Sequence, residues 1–370
     1  MRIAAVEAVP LTAALQETFR FGTTDRTTSP NVVVVVRTDE GHEGYGEACP
    51  VPAFTGETQS SIVDLVEGRV APVLIGADPL ARSPLLHALA GTARFAPFTA
   101  AAVDTALLDL AGRILGVPAH ALLGGAFRDR VEVHGSVGWQ EDPADMARTA
   151  ARQAATYRTL KVYAGRGELS ADLDRLAAVR AAAGPGTGLF ADVNGMWAPG
   201  DLPRVLPRLK EIGITLLEQP LPPAAAAFQR DLVASHGIGV VADEAVRTAA
   251  DAAQVAASRS ASVVNVGHSK LGGPTAAFHA AGVAAAHGLG VMVGSVIEMG
   301  IATAMGLHLA AALPRLACPC YLMGPLKYRE RITTEQIEVI DGHVAVPAGP
   351  GLGVTVDERR LHALDARRRG

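Results

Sequence analysis

Three stretches decide the fold: GLFADVNG at 188–195, ITLLEQP at 214–220 and IGVVADE at 238–244. Each is a short apolar run, typical of a buried strand, with an acidic residue at or near its end. The acids are Asp192, Glu218 and Asp243, which are 26 residues (192 to 218) and 25 residues (218 to 243) apart. One strand–helix–strand unit has about this length. The spacing therefore places the three side chains at the carboxyl ends of consecutive parallel strands.

That rim is where the active sites of β/α barrels lie. Three carboxylates with no His or Cys among them suit a hard dication such as Mg²⁺. The sequence thus predicts a magnesium site formed by Asp192, Glu218 and Asp243.

The rest of the chain supports a barrel with a smaller domain before it. From residue 131 onward, eight apolar runs alternate with Ala-rich helical stretches, as in a closed barrel. The runs are VEVHGSV, TLKVY, GLFADV, ITLLEQ, IGVVAD, ASVVNV, VMVGS and ACPCYL. We predict an α+β capping domain at 1–127, an α/β barrel at 128–328 and a segment at 329–370 that returns to the first domain.

The first domain reads as three strands followed by three helices. The strands are IAAVEAVPLT, NVVVVVRTD and HEGYGEA, and the helices cover about 57–74, 79–90 and 101–116. Two long stretches, 15–30 and 49–57, are predicted to be loops that act as lids over the barrel mouth. Phe19, Phe21 and Phe54 would give these lids an apolar face, and Arg20 or Arg26 could meet a distal anion.

Bulk composition narrows the class of protein. The chain has 370 residues, a net charge of −4 and three cysteines. This charge gives no reason to expect a nucleic-acid or membrane partner, and an odd, sparse cysteine count argues against a disulfide framework. With no secretory signal visible at Met1, we expect a cytoplasmic protein.

Lys161 and Tyr163 lie in the strand that precedes the first acid. Positions 161 and 163 alternate onto one face of a strand, so both side chains project into the cavity that the acids share. Lysine is rare here: of 33 basic residues only four are lysines. We predict that Lys161 and Tyr163 carry the catalysis, one holding a substrate carboxylate and either one moving a proton.

Taken together, these motifs resemble the enolase superfamily, in its mandelate racemase / muconate lactonizing enzyme branch. The similarity covers nearly the whole chain. Its motifs are GYGEACP, FTGET, a K-x-K-like element at 161–163, D-x-N-G, E-Q-P, A-D-E, LGG at 271–273 and GSVIEMGIATAMG at 294–306. The resemblance implies a capping domain on a (β/α)₇β TIM-like barrel, Mg²⁺ held by the three acids, abstraction of a proton next to a carboxylate, and a homo-oligomer.

This sequence departs from the family pattern at both acid/base lysines. Tyr163 stands where the second lysine of K-x-K is usual, and Gly267 stands where a lysine usually ends the sixth strand. Other candidates to contact the substrate surround these positions. They are His134, Gly267, His268, Lys270, Ser295, Glu298 and Phe21.

The departures bear on the reaction. Inversion at one carbon needs acid/base groups on two faces of the substrate, and position 267 supplies none. We therefore expect a lyase, a dehydratase-type β-elimination on a small carboxylic acid. A racemase, epimerase or cycloisomerase is the alternative, and a degraded protein that binds Mg²⁺ and a carboxylate without catalysis is the alternative of another class.

Overall fold

The capping domain begins with an antiparallel three-stranded sheet. We describe a computed structural model of the chain, in which residues 1–92, 96–230 and 235–368 are described. The sheet order is β1-β2-β3, with β1 Ile3–Phe21, β2 Thr24–Thr38 and β3 Glu43–Ala48. β2 is the central strand, and its run of valines from Val32 to Val36 is buried. Such a run suits a strand that is covered on both faces.

The lid predicted at 15–30 is a hairpin arm and not a loop. β1 and β2 stay paired as far as Phe21 and Thr24, after a register irregularity between Ala14 and Phe19. The turn uses Gly22 at φ 46°, a left-handed conformation that favours glycine. Backbone pairing therefore carries the aromatic residues of β1 to the barrel mouth on a defined arm. The second predicted lid, 49–57, contains the short helix Pro52–Thr55.

The barrel contains a parallel sheet of seven strands in the order β11-β10-β9-β8-β7-β6-β5. This confirms the predicted α/β barrel fold with a capping domain. The seven strands are β5 Gly135–Val137, β6 Thr159–Tyr163, β7 Gly188–Asp192, β8 Ile214–Glu218, β9 Gly239–Ala242, β10 Val263–Asn265 and β11 Gly290–Met292.

The first and last predicted barrel strands differ from expectation. VEVHGSV divides into β4 Arg130–Glu132, which pairs with β12 His343–Ala345, and β5, which joins the parallel sheet. ACPCYL (317–322) does not form a regular strand. Isolated backbone hydrogen bonds link it to the chain next to β11 and to the chain just before β5. One of them runs from the Tyr321 N–H to the Val293 carbonyl at 3.0 Å. Pro319 within it has no N–H to give to a ladder.

Helices surround both sheets. They run Pro52–Thr55, Gln59–Leu65, Ala71–Leu74, Arg82–Ala90, Pro97–Leu115, Pro143–Ala154, Leu169–Ala183, Leu202–Ile212, Ala249–Ser258, His268–Leu271, Pro274–Ala286, Gly300–Ala312 and Glu358–Leu364, with a π-helical turn at Val66–Val70. Within the described part of the chain, none is long and apolar enough to cross a membrane.

Residues that follow the barrel contact the capping domain. The Arg329 N–H donates to the Ala14 carbonyl at 3.0 Å. Asp109, on the helix Pro97–Leu115, accepts hydrogen bonds from the Tyr45 N–H at 2.9 Å and the Leu352 N–H at 2.7 Å. One buried carboxylate thus joins the capping sheet, its helix and the returning segment.

Candidate functional site

The three predicted ligand acids lie at one rim of the barrel. Asp192 ends β7 and Glu218 ends β8, and the two residues are direct partners in the parallel register. Asp243 is the first residue after β9, the next strand along. Strand pairing therefore places the carboxylates side by side, as the equal spacing predicts.

Lys161 lies between two of these acids. Its ammonium is 2.8 Å from Asp192 Oδ2 and 3.1 Å from Glu218 Oε2, and the side chain is buried. Burial disfavours the ammonium, but the charges of Asp192 and Glu218 outweigh it and raise the pKa of Lys161 well above its ordinary value. Lys161 is thus held as a cation.

Asp243 pairs with a second lysine. Lys270 Nζ is 2.9 Å from Asp243 Oδ1 and also donates to the Val246 carbonyl at 2.8 Å. Among the described residues, no group of three or more His, Cys, Asp or Glu side chains is arranged to hold a metal ion. In this arrangement two ammonium groups pair with the three acids and offset part of their charge.

The chemistry of the three acids nevertheless fits a hard dication. Burial raises the pKa of Glu218 to about 7 against the opposing charge of Lys161, and repulsion from Asp192 and Asp243 adds to the rise. Burial likewise raises the pKa of Asp192, with a further contribution from Asp243. Crowded, desolvated oxygen donors of this kind are stabilised by a bound cation. The magnesium site stays a prediction.

An aromatic cluster covers this rim. The Tyr163 ring lies 5.3 Å from that of Phe19 and 6.1 Å from that of Phe21, and Phe21 lies 6.3 Å from Phe54. The Lys161 ammonium is 5.0 Å from the centre of the Tyr163 ring. Burial raises the pKa of Tyr163 well above its ordinary value despite this neighbouring cation. The phenol is therefore neutral and can donate a hydrogen bond.

The opposite wall has no proton-transfer group at position 267. A Cβ placed on Gly267 would lie 3.1 Å from the Gly294 carbonyl oxygen, so even a small side chain is crowded there. Asn265 fills the adjoining space. Its Nδ2 donates to Glu218 Oε1 at 3.0 Å, and its Oδ1 accepts from the N–H groups of Gly267 at 3.0 Å and Gly294 at 2.8 Å.

The turn after β11 completes the wall. The Glu298 carboxylate accepts hydrogen bonds from the Ser269 hydroxyl at 2.6 Å, the Val296 N–H at 3.0 Å and the Ser295 hydroxyl. Ile297 adopts φ 67°, an unusual conformation for a β-branched residue. Glu298 thus holds a strained turn.

Comparison with known proteins identifies the family. Residues 5–124 match the mandelate racemase / muconate lactonizing enzyme N-terminal domain, and residues 145–360 match the enolase C-terminal domain-like family. The chain belongs to the mandelate racemase / muconate lactonizing enzyme family of the enolase superfamily. It is therefore an enzyme of that superfamily, as the motifs indicated.

Individual members are similar along nearly their full length. Muconate cycloisomerase 1 of Rhodococcus opacus is 33% identical in an alignment of 368 positions that covers 96% of each chain. The muconate lactonizing enzyme of Pseudomonas fluorescens, solved with muconolactone, superposes with a TM-score of 0.94 at 30% identity and covers 98% of this chain and 99% of that one. The 2-chloromuconate cycloisomerase of Rhodococcus opacus 1CP gives a TM-score of 0.95 at 28% identity, covering 99% and 100%.

Within this member of the family, most of the predicted site residues lie around one cavity between the barrel rim and the capping hairpin. Those that line it are Phe21, Lys161, Tyr163, Asp192, Asp243, Gly267, Lys270, Ser295 and Glu298. Glu218 is fully buried beneath Lys161 and Asn265.

The two predicted histidines do not line the cavity. His134 is fully buried, stacks on Tyr321 at 5.1 Å and donates from Nδ1 to the Gly135 carbonyl at 2.9 Å. Burial and the charge of Lys161 lower its pKa to about 3, so the ring is neutral. His268 is buried at the start of the helix His268–Leu271, and burial lowers its pKa too. That they contact the substrate stays a prediction, since neither ring reaches the cavity in this arrangement.

Three polar residues of the site were not anticipated in these roles. Asn265 and Asn194 line the cavity. Arg26, predicted to meet a distal anion, is buried with its guanidinium donating to the carbonyls of Val296 at 3.0 Å and Pro50 at 2.8 Å. Of these three residues, only Asn265 had a feature in the sequence that could have pointed to a site role: it is a polar residue within the apolar run SVVNV.

Proposed function

We propose that the chain is a metal-dependent cycloisomerase that acts on a small unsaturated carboxylic acid and moves a proton on one face of the substrate. The observation that carries this proposal is the one-sided site. Lys161 and Tyr163 share one wall, and the opposite wall has Gly267, where a side chain would be crowded.

A cycloisomerase fits this one-sidedness. When a carboxylate adds to a double bond within the same molecule, one proton must then reach the carbon next to the other carboxylate. A single acid suffices for that step, whereas racemisation needs groups on both faces. Lys161 and Tyr163 are both held in their protonated forms with raised pKa values, and the positive charge of a bound dication would lower these values and so favour the donation of a proton.

We propose Asp192, Glu218 and Asp243 as the ligands of the metal, with Mg²⁺ as the ion that suits them. When bound, the dication supplies electrostatic stabilisation of the negative charge that develops on the substrate carboxylate. Lys161 orients that carboxylate, Tyr163 donates a hydrogen bond or proton beside it, and the aromatic cluster excludes water. The relatives named above, which are muconate and chloromuconate cycloisomerases, support this assignment.

The dehydratase-type β-elimination predicted from sequence remains the second candidate. It is the same chemistry run in the opposite direction, with one group that removes the proton next to the carboxylate. The one-sided site supports it too, but the relatives favour the isomerase. A cytoplasmic location and a homo-oligomer stay predictions.

The test is turnover in D₂O with Mg²⁺. We expect cis,cis-muconate or a substituted analogue to be converted to a lactone that carries one deuterium at the carbon next to the remaining carboxylate. Tyr163→Phe or Lys161→Met should lower kcat by about 100-fold or more. Tyr157→Phe is the matched control, because it removes the hydroxyl of a buried tyrosine that lies outside the cavity.

Two results would count against the proposal. Deuterium exchange with inversion at the carbon next to the carboxylate would indicate a second acid/base group and a racemase. Ligand-induced stabilisation with no turnover or exchange for any acid would favour a protein that only binds.

A further inference from the structure

We infer that Lys327 binds the second carboxylate of a dicarboxylic acid substrate, once the Phe19 ring has moved out from between them. This inference narrows the substrate class of the proposed function and rests on it. The first carboxylate lies beside the ligand acids, and the second is the one that closes the lactone ring.

The few lysines of this chain are concentrated at the site. Of the four, Lys210 is exposed on a surface helix, whereas Lys161 and Lys270 line the cavity. The fourth, Lys327, has its ammonium 4.8 Å from the centre of the ring of Phe19, a residue of the cavity lining. Three of the four lysines therefore lie in or next to the cavity, in a chain whose other basic residues are arginines.

The Lys327 ammonium has neither an ion-pair partner nor a hydrogen bond within the described part of the chain. Glu17 acts on it through its charge, but the Glu17 carboxylate pairs with Arg152 at 3.5 Å. The lysine side chain is partly buried, and burial lowers its pKa to about 8. A desolvated cation of this kind is stabilised when a carboxylate is placed beside it.

The two arginines of the hairpin, by contrast, already have partners. Arg26 donates to the carbonyls of Val296 at 3.0 Å and Pro50 at 2.8 Å. Arg20 pairs with Asp25 at 3.1 Å. A second carboxylate can therefore bind Lys327 without breaking an existing hydrogen bond, which is not true of these arginines.

The Phe19 ring covers Lys327 on the side of the cavity. Its centre lies 4.8 Å from the ammonium and 5.3 Å from the ring centre of Tyr163, which lines the cavity. With the ring in this position the cavity has about 40 Å³ of free space, too little for a six-carbon acid. We expect the ring to move when such an acid enters, and its movement uncovers the ammonium.

Phe19 and Lys327 belong to parts of the fold that can move apart. The pairing of β1 with β2 is irregular between Ala14 and Phe19, and a strand can bend at such a place. Lys327 is held at the near end of this irregular stretch, because the next residue, Tyr328, bridges to Leu15. Bending of the hairpin arm thus carries Phe19 away and leaves Lys327 in place.

An ion pair with Lys327 suits the chemistry of ring closure. An oxygen of the second carboxylate forms a bond to the double bond conjugated with the first carboxylate, whose electrons move to the carbon next to that first carboxylate. This carbon takes a proton from Lys161 or Tyr163, and Lys327 keeps its own proton throughout. The ring oxygen of the lactone carries no charge, so the ion pair is lost in the product and release is favoured.

Adipate and hexanoate form a matched pair for the test. Both have a flexible, saturated six-carbon chain that cannot react, and adipate has a second carboxylate where hexanoate has a methyl group. We would titrate the full chain with each acid in the presence of Mg²⁺ and measure the heat of binding. We expect adipate to bind at least about tenfold more tightly, because a hydrogen bond between two charged groups contributes at least that much.

Lys327→Met should lower the affinity for adipate about tenfold and leave that for hexanoate unchanged. Lys210→Met, which removes an exposed lysine outside the cavity, is the matched control and should change neither. Equal binding of the two acids by the unmodified chain would overturn the inference, and so would failure of both to bind. An equal loss of both affinities in Lys327→Met would indicate a merely structural role and would also overturn it.

A crystal structure of the unmodified chain with Mg²⁺ and adipate is an independent check. We expect Phe19 to be displaced and Lys327 Nζ to contact a carboxylate, and adipate bound with Lys327 still covered would contradict the inference. Loss of the adipate preference in Lys327→Met, with no lactone formed by the unmodified chain, would leave the inference standing and reject the proposed cycloisomerase. Lactone formation from cis,cis-muconate with the same KM in Lys327→Met would do the reverse.

Discussion

Asn265 joins the ends of three barrel strands, β8, β10 and β11, through one side chain. Its amide nitrogen donates to Glu218, and its oxygen accepts from the N–H groups of Gly267 and Gly294. A Cβ on Gly294 would lie 2.2 Å from the Asn265 amide nitrogen, so the glycine there makes room for it. Asn265 therefore fixes the orientation of a predicted metal ligand.

Asn265→Asp keeps the oxygen that serves the two glycines but places a second buried acid against Glu218. We expect the free energy of unfolding to fall by about 1–3 kcal/mol without metal. Because a dication would relieve the new repulsion, Mg²⁺ should raise the melting temperature of this variant more than that of the unmodified chain. Thermal melts with EDTA and with Mg²⁺ measure both effects. An equal response to Mg²⁺ in the two proteins would argue against a metal at Glu218.

Among structural elements, the turn 294–298 is held by the Glu298 carboxylate. All three groups that it contacts, Ser269, Ser295 and Val296, act as donors. Tyr328 also donates to the carbonyl of the strained Ile297 at 2.6 Å. The turn thus depends on one carboxylate acceptor and on donors that side chains from several elements supply.

Glu298→Gln should destabilise this turn. The new amide would direct N–H groups at donors, and we expect a loss of about 1–3 kcal/mol in unfolding free energy, with a matching fall in kcat/KM. Urea unfolding and steady-state kinetics would measure the two. Glu338→Gln on the surface is the control. Unchanged stability in Glu298→Gln would mean that the carboxylate serves the substrate and not the turn.

The capping hairpin closes the site. Asp25 on the hairpin forms an ion pair with Arg166 of the barrel. The backbone N–H of Trp139 donates a hydrogen bond to the Arg20 carbonyl at 3.0 Å. In this position the hairpin leaves about 40 Å³ of free space in the cavity, room for one or two water molecules. A six-carbon acid needs more room than this, so we expect the hairpin to move when such an acid enters.

Asp25→Asn should loosen the closed position. Because the pair is partly exposed, we expect the unfolding free energy to change by less than about 1 kcal/mol. KM should rise several-fold, and tryptophan fluorescence should change, since Trp139 lies under the hairpin. Glu211→Gln, which breaks the surface pair with Arg208, is the control. If KM is the same for both variants, the Asp25 pair does not hold the hairpin closed.

For the molecule as a whole, buried histidines set a pH dependence of stability. His308 donates from Nε2 to the Leu352 carbonyl at 3.0 Å and accepts at Nδ1 from the His120 N–H at 3.4 Å. Burial lowers its pKa to about 4. The native state therefore keeps it neutral at pH values where the unfolded chain, with a pKa near 6.5, takes up a proton.

His308→Gln tests this directly. The contribution of His308 is complete above pH 6.5 and is lost as the pH falls toward 4. The difference in unfolding free energy between the unmodified chain and the variant should thus shrink by up to about 1.4 kcal/mol per pH unit in that window. Urea unfolding at pH 7, 6 and 5 measures it, with the exposed His87→Gln as control. A difference that is constant with pH would rule out titration of His308.

How far the sequence could predict the site depends on the range of the interactions. The acids Asp192, Glu218 and Asp243 were predictable because strand pairing converts an equal spacing into adjacency. The placement of Tyr163 on the same face as Lys161 was predictable because side chains alternate between the two faces of a strand. The burial of His134 and His268 was not predictable, because a residue at a strand end can point to the cavity or to the packing behind it. The hairpin was missed because Thr- and Arg-rich strands lack the apolar alternation that indicates a sheet.

The sequence by itself determined the barrel, its capping domain, the rim on which the acids lie and the absence of a side chain at Gly267. These features depend on periodicity and spacing along the chain, which are local. Only the tertiary structure decided that Lys161 and Lys270 pair with the acids, that Asn265 occupies the space beside Gly267, and that Arg26 is buried against backbone carbonyls. Those outcomes depend on which charges share a desolvated space, and elements far apart in the chain build that space together.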